Sequence, residues 1–105
     1  MSSRGTRRAR CICGCGQRAV HQHHAVYRQH LAQHGGDPKD DRNLVPVAFD
    51  CHGAHHSGAK RLKLSMLPDS VYQFAVELAG PGWAYEVLGR YYAGDDPRLE
   101  ALLSS

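Results

Sequence analysis

The side chains able to do chemistry gather in two short fragments. The first is His21-Gln22-His23-His24; the second runs from Asn43 to Asp50-Cys51-His52-Gly53-Ala54-His55-His56. By spacing they give an adjacent pair, His23 and His24, then Asn43 nineteen residues on, His52 nine beyond that, and His56 four further. A neutral imidazole can ligate a metal or accept a proton near pH 7, whereas an amide can only hydrogen-bond. His52 and His56, one helical turn apart, would present both rings on the same side, a good arrangement for two metal ligands. His23 and His24 sit in an alternating run, Ala19-Val20-His21-Gln22-His23-His24, whose neighbouring side chains point to opposite faces. One ring can then face an ion while the other faces a water beside it. That is the equipment for hydrolysing a charged ester: a cation for the anionic group and a base for the nucleophile.

Several elements must position these groups. Residues 19–24 read as a first strand and residues 44–49 as a second, with Pro46 confining the latter to an edge or its start. Asp50 is placed to cap the helical turn that carries His52 and His56. Between the strands, residues 28–34 suit either a short helix or an extended loop ended by Gly35-Gly36. His30 and His34 share the i, i+4 spacing, but they read as polar surface rather than a second metal site. Asp40 and Asp41 lie in a mixed-charge turn before Asn43, either solvated or orienting neighbours.

The character changes after His56. Ser57-Gly58-Ala59 leads into Lys60, Arg61 and Lys63, a segment suited to phosphate contact. Ser70 with Gln73 fits a capping box for a helix whose stripe is Val71, Phe74, Ala75 and Leu78. Gly80-Pro81-Gly82 breaks it, and a second helix is expected over about 83–93 with Ala84, Val87, Leu88 and Tyr91 on one side. Asp96-Pro97 opens a last short helix holding Leu99, Leu102 and Leu103. Trp83, Tyr85, Tyr91 and Tyr92 have the spacing of core residues more than of base-stacking ones.

At 105 residues the chain is expected to form one domain, small enough for a bound metal to contribute to folding. Cys11, Cys13 and Cys15 lie too close together for an ordinary disulfide framework. With Cys51 they are either a structural zinc site or free thiols. The net charge of +3 conceals an asymmetry: residues 1–36 carry six arginines and no acid, whereas residues 69–105 carry six acids against Arg90 and Arg98. The basic end is the expected contact for a polyanion, with residues 1–10 a flexible tail. Arg4, Arg7, Arg8, Arg10 and Arg18 are the candidate contacts there, joined by Lys60, Arg61 and Lys63. No apolar run is long enough to span a membrane, and the Arg-rich start lacks the hydrophobic stretch of a signal peptide, so a cytoplasmic protein is expected.

Residues from about Cys11 to Ser57, and especially the wording HHAVYRQ and DRNLVPVAFDCHGAHH, resemble the HNH endonucleases, in particular the small free-standing members of phage and bacterial genomes. The resemblance implies an α+β fold with a ββα-metal core over about 11–60 and a helical extension over about 68–103. It implies a metal-dependent DNA endonuclease that leaves 5′-phosphate and 3′-hydroxyl ends, by nicking or double-strand cleavage. His24 matches the general base and Asn43 the residue that holds it in orientation. His23, His52 and His56 match the ligands of one divalent ion (Zn, Mn, Ni or Mg), with His55 an alternative to His56. Many members also carry a structural zinc knuckle of paired CxxC motifs. Here the first cluster is CxCxC, and Ala48 stands three residues before Cys51, so a second, structural zinc rests on Cys11, Cys13, Cys15 and Cys51 despite a departure from the pattern. DNA is the implied partner, with a phage terminase or another protein a further one by analogy, and neither a membrane nor a small-molecule substrate is expected. In the host cytoplasm, if phage-encoded, such a protein would act on DNA directly. A different reading of the same residues is a zinc-stabilised nucleic-acid-binding module that cuts nothing, under which His24 and Asn43 would have no chemical task.

Overall fold

The computed structural model describes residues 10–104. Arg4, Arg7 and Arg8, with most of the expected basic tail, lie outside the described residues. In chain order the elements are β1 (His21–His24), α1 (Arg28–His34), a 3-10 turn (Asp41–Asn43), β2 (Leu44–Val47), α2 (Phe49–Ser57), a second 3-10 turn (Leu64–Met66), α3 (Asp69–Ala79), α4 (Pro81–Tyr91) and α5 (Pro97–Leu102). The class is α+β: one two-stranded antiparallel sheet with helices around it.

The sheet sets the register of the site. His23 lies opposite Val45, and His24 opposite Leu44. Pro46 has no N–H to give, but its carbonyl accepts from Ile12 N–H (2.9 Å), which lays the cysteine-bearing segment along β2. β1 is shorter than expected, beginning at His21; Val20 still donates its N–H to Val47 but leaves its side chain 61% exposed. β2 stops at Val47, and Phe49 is the first residue of α2, 70% exposed, rather than the end of a strand.

Two caps differ from expectation. Ala48, not Asp50, occupies the N-cap of α2, and Asp50 falls in the first turn, where it still favours the helix dipole. At α3 the N-cap is Pro68, so Ser70 lies inside the helix and donates to the Arg42 carbonyl (3.3 Å) instead of closing a capping box. Only Gly80, at φ 97°, separates α3 from α4, because Pro81 takes the first helical position, where its missing N–H is no loss. Of the two readings open for residues 28–34 the helix is realised, ended by Gly35 in the left-handed conformation.

A single apolar cluster unites the halves. It joins Leu31 of α1 and Val45 and Val47 of β2 to Leu64, Leu67, Val71, Phe74, Ala84 and Leu88 of the following turns and helices. Each of these valine, leucine and phenylalanine side chains contributes about 1.5–3 kcal/mol on burial, so the helical half stabilises the sheet it covers. Two acids of this half, Asp96 and Asp69, serve structure. Asp96 caps α5 through Arg98 N–H (2.8 Å), and the Arg98 guanidinium binds Asp96, Asp69 and the Leu64 carbonyl while lying over the Tyr72 ring. Leu103, expected within the last helix, instead follows the end of α5 and is 58% exposed.

Candidate metal centre and its cavity

β1 supplies His23 and α2 supplies His52 and His56, and one nitrogen from each ring lies within 4.8 Å of the others. The two α2 rings bring their Nε2 atoms to 3.0 Å, as the i, i+4 spacing requires. Nitrogens sharing one tetrahedral zinc stand about 3.3 Å apart, given bonds of about 2.0–2.1 Å. The donor set therefore fits a borderline-soft divalent ion, and these residues could hold one. His23 is buried and the other two are progressively more open, so the cluster has a dry floor and an accessible rim. It lines a cavity of about 340 Å³ together with His24, Tyr27, Arg28 and Gln29.

The protonation of the group suits ligation. Burial, reinforced by the facing His55 and His52 rings, lowers the His23 pKa to about 3, and burial with the neighbouring His56 also lowers that of His52. Both shifts favour the neutral imidazole, which keeps one lone pair to offer.

His24 diverges from His23 as strand alternation demands. It reaches the same cavity, and its Nε2 lies 2.9 Å from the Pro38 carbonyl. A carbonyl only accepts, so Nε2 carries the proton and Nδ1 keeps the lone pair. The residue that orients the ring is thus Pro38, through its backbone, and not Asn43. Asn43 is buried and grips Val26 at both ends: its Oδ1 accepts from Val26 N–H (2.7 Å) and its Nδ2 donates to the Val26 carbonyl (2.9 Å). It fixes the chain leaving β1, and Asp40 fixes Asn43 by accepting at the turn that precedes it (Asn43 N–H to Asp40 C=O, 3.1 Å). The Asp40 carboxylate is an orienting group rather than a solvated one, because it accepts from the Arg42 N–H (3.0 Å) and from the Arg42 guanidinium (3.1 and 2.9 Å).

His55 is no alternative to His56. It is buried, with its Nδ1 accepting from Leu62 N–H (3.1 Å), which puts its own proton on Nε2, 2.6 Å from the Tyr27 hydroxyl. Both nitrogens are engaged, and burial lowers its pKa to about 4. Tyr27 accepts that proton and retains its own hydroxyl proton to offer. Its ring lies 5.3 Å from His56 and lines the cavity. Tyr27 and Arg28 are functional candidates that spacing rules do not find, since neither belongs to a ligand pattern. His30 corrects another expectation: it is buried, bonded to the Tyr91 hydroxyl (3.1 Å) and packed edge-on against Trp83, while His34 also abuts Trp83.

The four cysteines converge. Cys11, Cys13, Cys15 and Cys51 have all their sulfurs within 4.8 Å of one another, with Cys11–Cys13 and Cys13–Cys51 at 3.2 Å and Cys15–Cys51 at 3.7 Å. Sulfurs around one zinc stand about 3.8 Å apart, given bonds of about 2.3 Å, so this group too could hold a metal ion. Gly14 and Gly16, at φ 80° and 85°, take the left-handed turns that fold residues 11–16 back on themselves. The Gln17 backbone amide holds the Cys15 thiol down at about 7, whereas the crowded thiols around it push Cys51 up. Lys60, Arg61 and Lys63 border a second cavity, of about 230 Å³, beside Cys13, Cys15 and Cys51 rather than the histidine cavity. Arg61 is partly committed, donating to the Arg90 carbonyl (2.7 Å), and Arg10 donates to Gly16 C=O (3.3 Å).

No protein-family model, curated protein or solved structure matches this chain. Among the described residues no helix is long and apolar enough to cross a membrane.

Proposed function

We propose that this chain is a metal-dependent DNA endonuclease of the HNH type, built on a ββα-metal core made by β1, β2 and α2. The observation that carries the reading is the pairing, in one cavity, of a three-imidazole cluster with a fourth imidazole whose lone pair is uncommitted. A purely structural centre needs the first and has no use for the second.

His23, His52 and His56 would hold the ion. A divalent ion held there would supply positive charge toward the scissile phosphate and the departing oxygen. His24, held by Pro38, takes a proton from water onto Nδ1. The resulting hydroxide attacks phosphorus, the bond to the 3′ oxygen breaks, and that oxygen acquires a proton from solvent, leaving a 5′-phosphate and a 3′-hydroxyl. Arg28 at the rim and the Tyr27 hydroxyl are donors for phosphate oxygens. Asn43 keeps β1 and the chain beyond it in place. The cysteine group would hold a structural zinc that pins residues 11–16 to the start of α2, a role distinct from catalysis.

Supercoiled plasmid incubated with the protein across a panel of divalent ions, with a chelator control, tests the reading. Wild type should relax or linearise the plasmid only with metal. His24→Ala should lose at least about 100-fold in rate while keeping the metal content and melting temperature of wild type. A metal-loaded wild type that leaves all DNA forms intact would instead support the non-cutting binding module.

A further inference from the structure

The Tyr92 hydroxyl has one proton and two close neighbours. Its oxygen lies 2.6 Å from the Ala25 carbonyl oxygen and 2.8 Å from His23 Nε2. The carbonyl can only accept, so the tyrosine proton goes to Ala25. The hydroxyl oxygen is then the acceptor, and His23 must donate from Nε2. A neutral imidazole protonated at Nε2 has its only lone pair on Nδ1.

The geometry assigns Tyr92 as a positioning residue of the histidine centre: it locks His23 in the tautomer that meets the ion through Nδ1, while His52 and His56 meet it through Nε2. This deepens the metal-centre reading and rests on it. The α2 rings already bring their Nε2 atoms to 3.0 Å. A ligand coming from a strand approaches from another direction, and turning the His23 ring over would put ring carbons where Nδ1 and Nε2 now stand. The surroundings offer a strong reason for the ring to stay as it is. His23 and Tyr92 are 1% and 3% exposed, so water cannot replace the hydrogen bond, and Nε2–H would be buried without a partner if the hydroxyl were removed. Outer partners of this kind fix ring orientation and raise ligand basicity.

The assignment changes what the helical half does. Tyr92 follows directly on α4, and its N–H still bonds the Leu88 carbonyl. The adjoining Tyr91 bonds His30 and stacks within 4.4 Å of Tyr27. The end of α4 is therefore a wall of the centre, beyond its contribution to the core.

Full-length protein labelled with ¹⁵N-histidine allows each ring nitrogen to be read by NMR as protonated, bare or metal-bound, without and with added zinc. In wild type, His23 should show a protonated Nε2 in both states, and zinc should move its Nδ1 together with Nε2 of His52 and His56. Tyr92→Phe keeps the ring. It should give mixed His23 tautomers without metal and bind zinc at the histidines about 10–100-fold more weakly, by competition with a chromophoric chelator. A metal-free wild type with the His23 proton on Nδ1 overturns the assignment without recourse to any variant, as does zinc bound through its Nε2. Zinc affinity unchanged in a folded Tyr92→Phe also overturns it. If zinc moves none of the three rings in wild type, the metal centre itself falls, and this assignment with it; a protonated Nε2 in the metal-free protein would then mark the hydrogen bond as structural alone.

Discussion

Asn43→Ala separates a positioning role from a chemical one. Asn43 satisfies both backbone groups of Val26, at 2.7 and 2.9 Å, and Val26 is 0% exposed. Removing the amide leaves a buried N–H and a buried C=O without partners. Each orphan costs about 1–3 kcal/mol, so the variant should lose about 2–6 kcal/mol, a large part of the roughly 5–15 kcal/mol available to a small domain. At about 4–8 °C per kcal/mol for a chain of this size, melting should fall by at least about 8 °C. Circular dichroism in excess chelator is the assay, since bound ion would add its own stabilisation to the folded state. Asn43→Asp keeps the acceptor but turns a second oxygen toward the Val26 carbonyl, and it should melt no higher than the alanine variant at neutral pH. If Asn43→Ala melted within about 3 °C of wild type yet lost cleavage, the amide would be acting on the reaction itself, and the clamp account would be wrong.

Three further outcomes follow from the same geometry. His23 and His55 titrate at about 3 and about 4 in the folded protein, below the roughly 6.5 of an unfolded chain. Below pH 6.5 the unfolded state therefore binds more protons, so the stability these rings contribute is full above that pH and declines toward pH 4; denaturant midpoints of chelated protein that match at pH 7.5 and 5 would contradict this. Cys51→Ser should lower the zinc retained after dialysis by one equivalent and reduce the denaturant midpoint, because Cys51 Sγ adjoins those of both Cys13 and Cys15; an unchanged metal count in a folded variant removes the structural zinc. Asp96→Ala deletes the α5 cap and releases Arg98 from the carboxylate it binds through both Nε and Nη2; a loss of about 1 kcal/mol is expected, and a melting shift below about 2 °C would show that the cap contributes little.

That His23, His52 and His56 come together is legible in the sequence because the rules that place them are local. Strand alternation separates His23 from His24, and helical spacing joins His52 to His56, whatever the rest of the chain does. Local rules also explain where the reading slipped. Phe49 extends an apolar run, but once Val47 ends the ladder nothing pairs beyond it, so the helix begins there with an exposed ring. The cysteines do not have the expected CxxC spacing. Their sulfurs meet because two glycines turn left-handed and Ile12 bonds to β2, a loop path that spacing alone does not encode.

The partners of the site are less visible still, because they are set by tertiary distance. His23 and Tyr92 are 69 residues apart in sequence, and no periodicity links them. The spacing of Trp83, Tyr85, Tyr91 and Tyr92 reads as packing, which for Tyr92 is half of the matter: its ring belongs to the apolar cluster and its hydroxyl to the polar one. Tyrosine can serve both because its polar atom lies at the far end of an apolar body. His55 makes the same point from the other side. Its place next to His56 gives it the look of a ligand, but Leu62 N–H claims one nitrogen and Tyr27 the other. A histidine becomes available to a metal only when a lone pair is left after its backbone and hydroxyl neighbours are counted, and that count requires the fold.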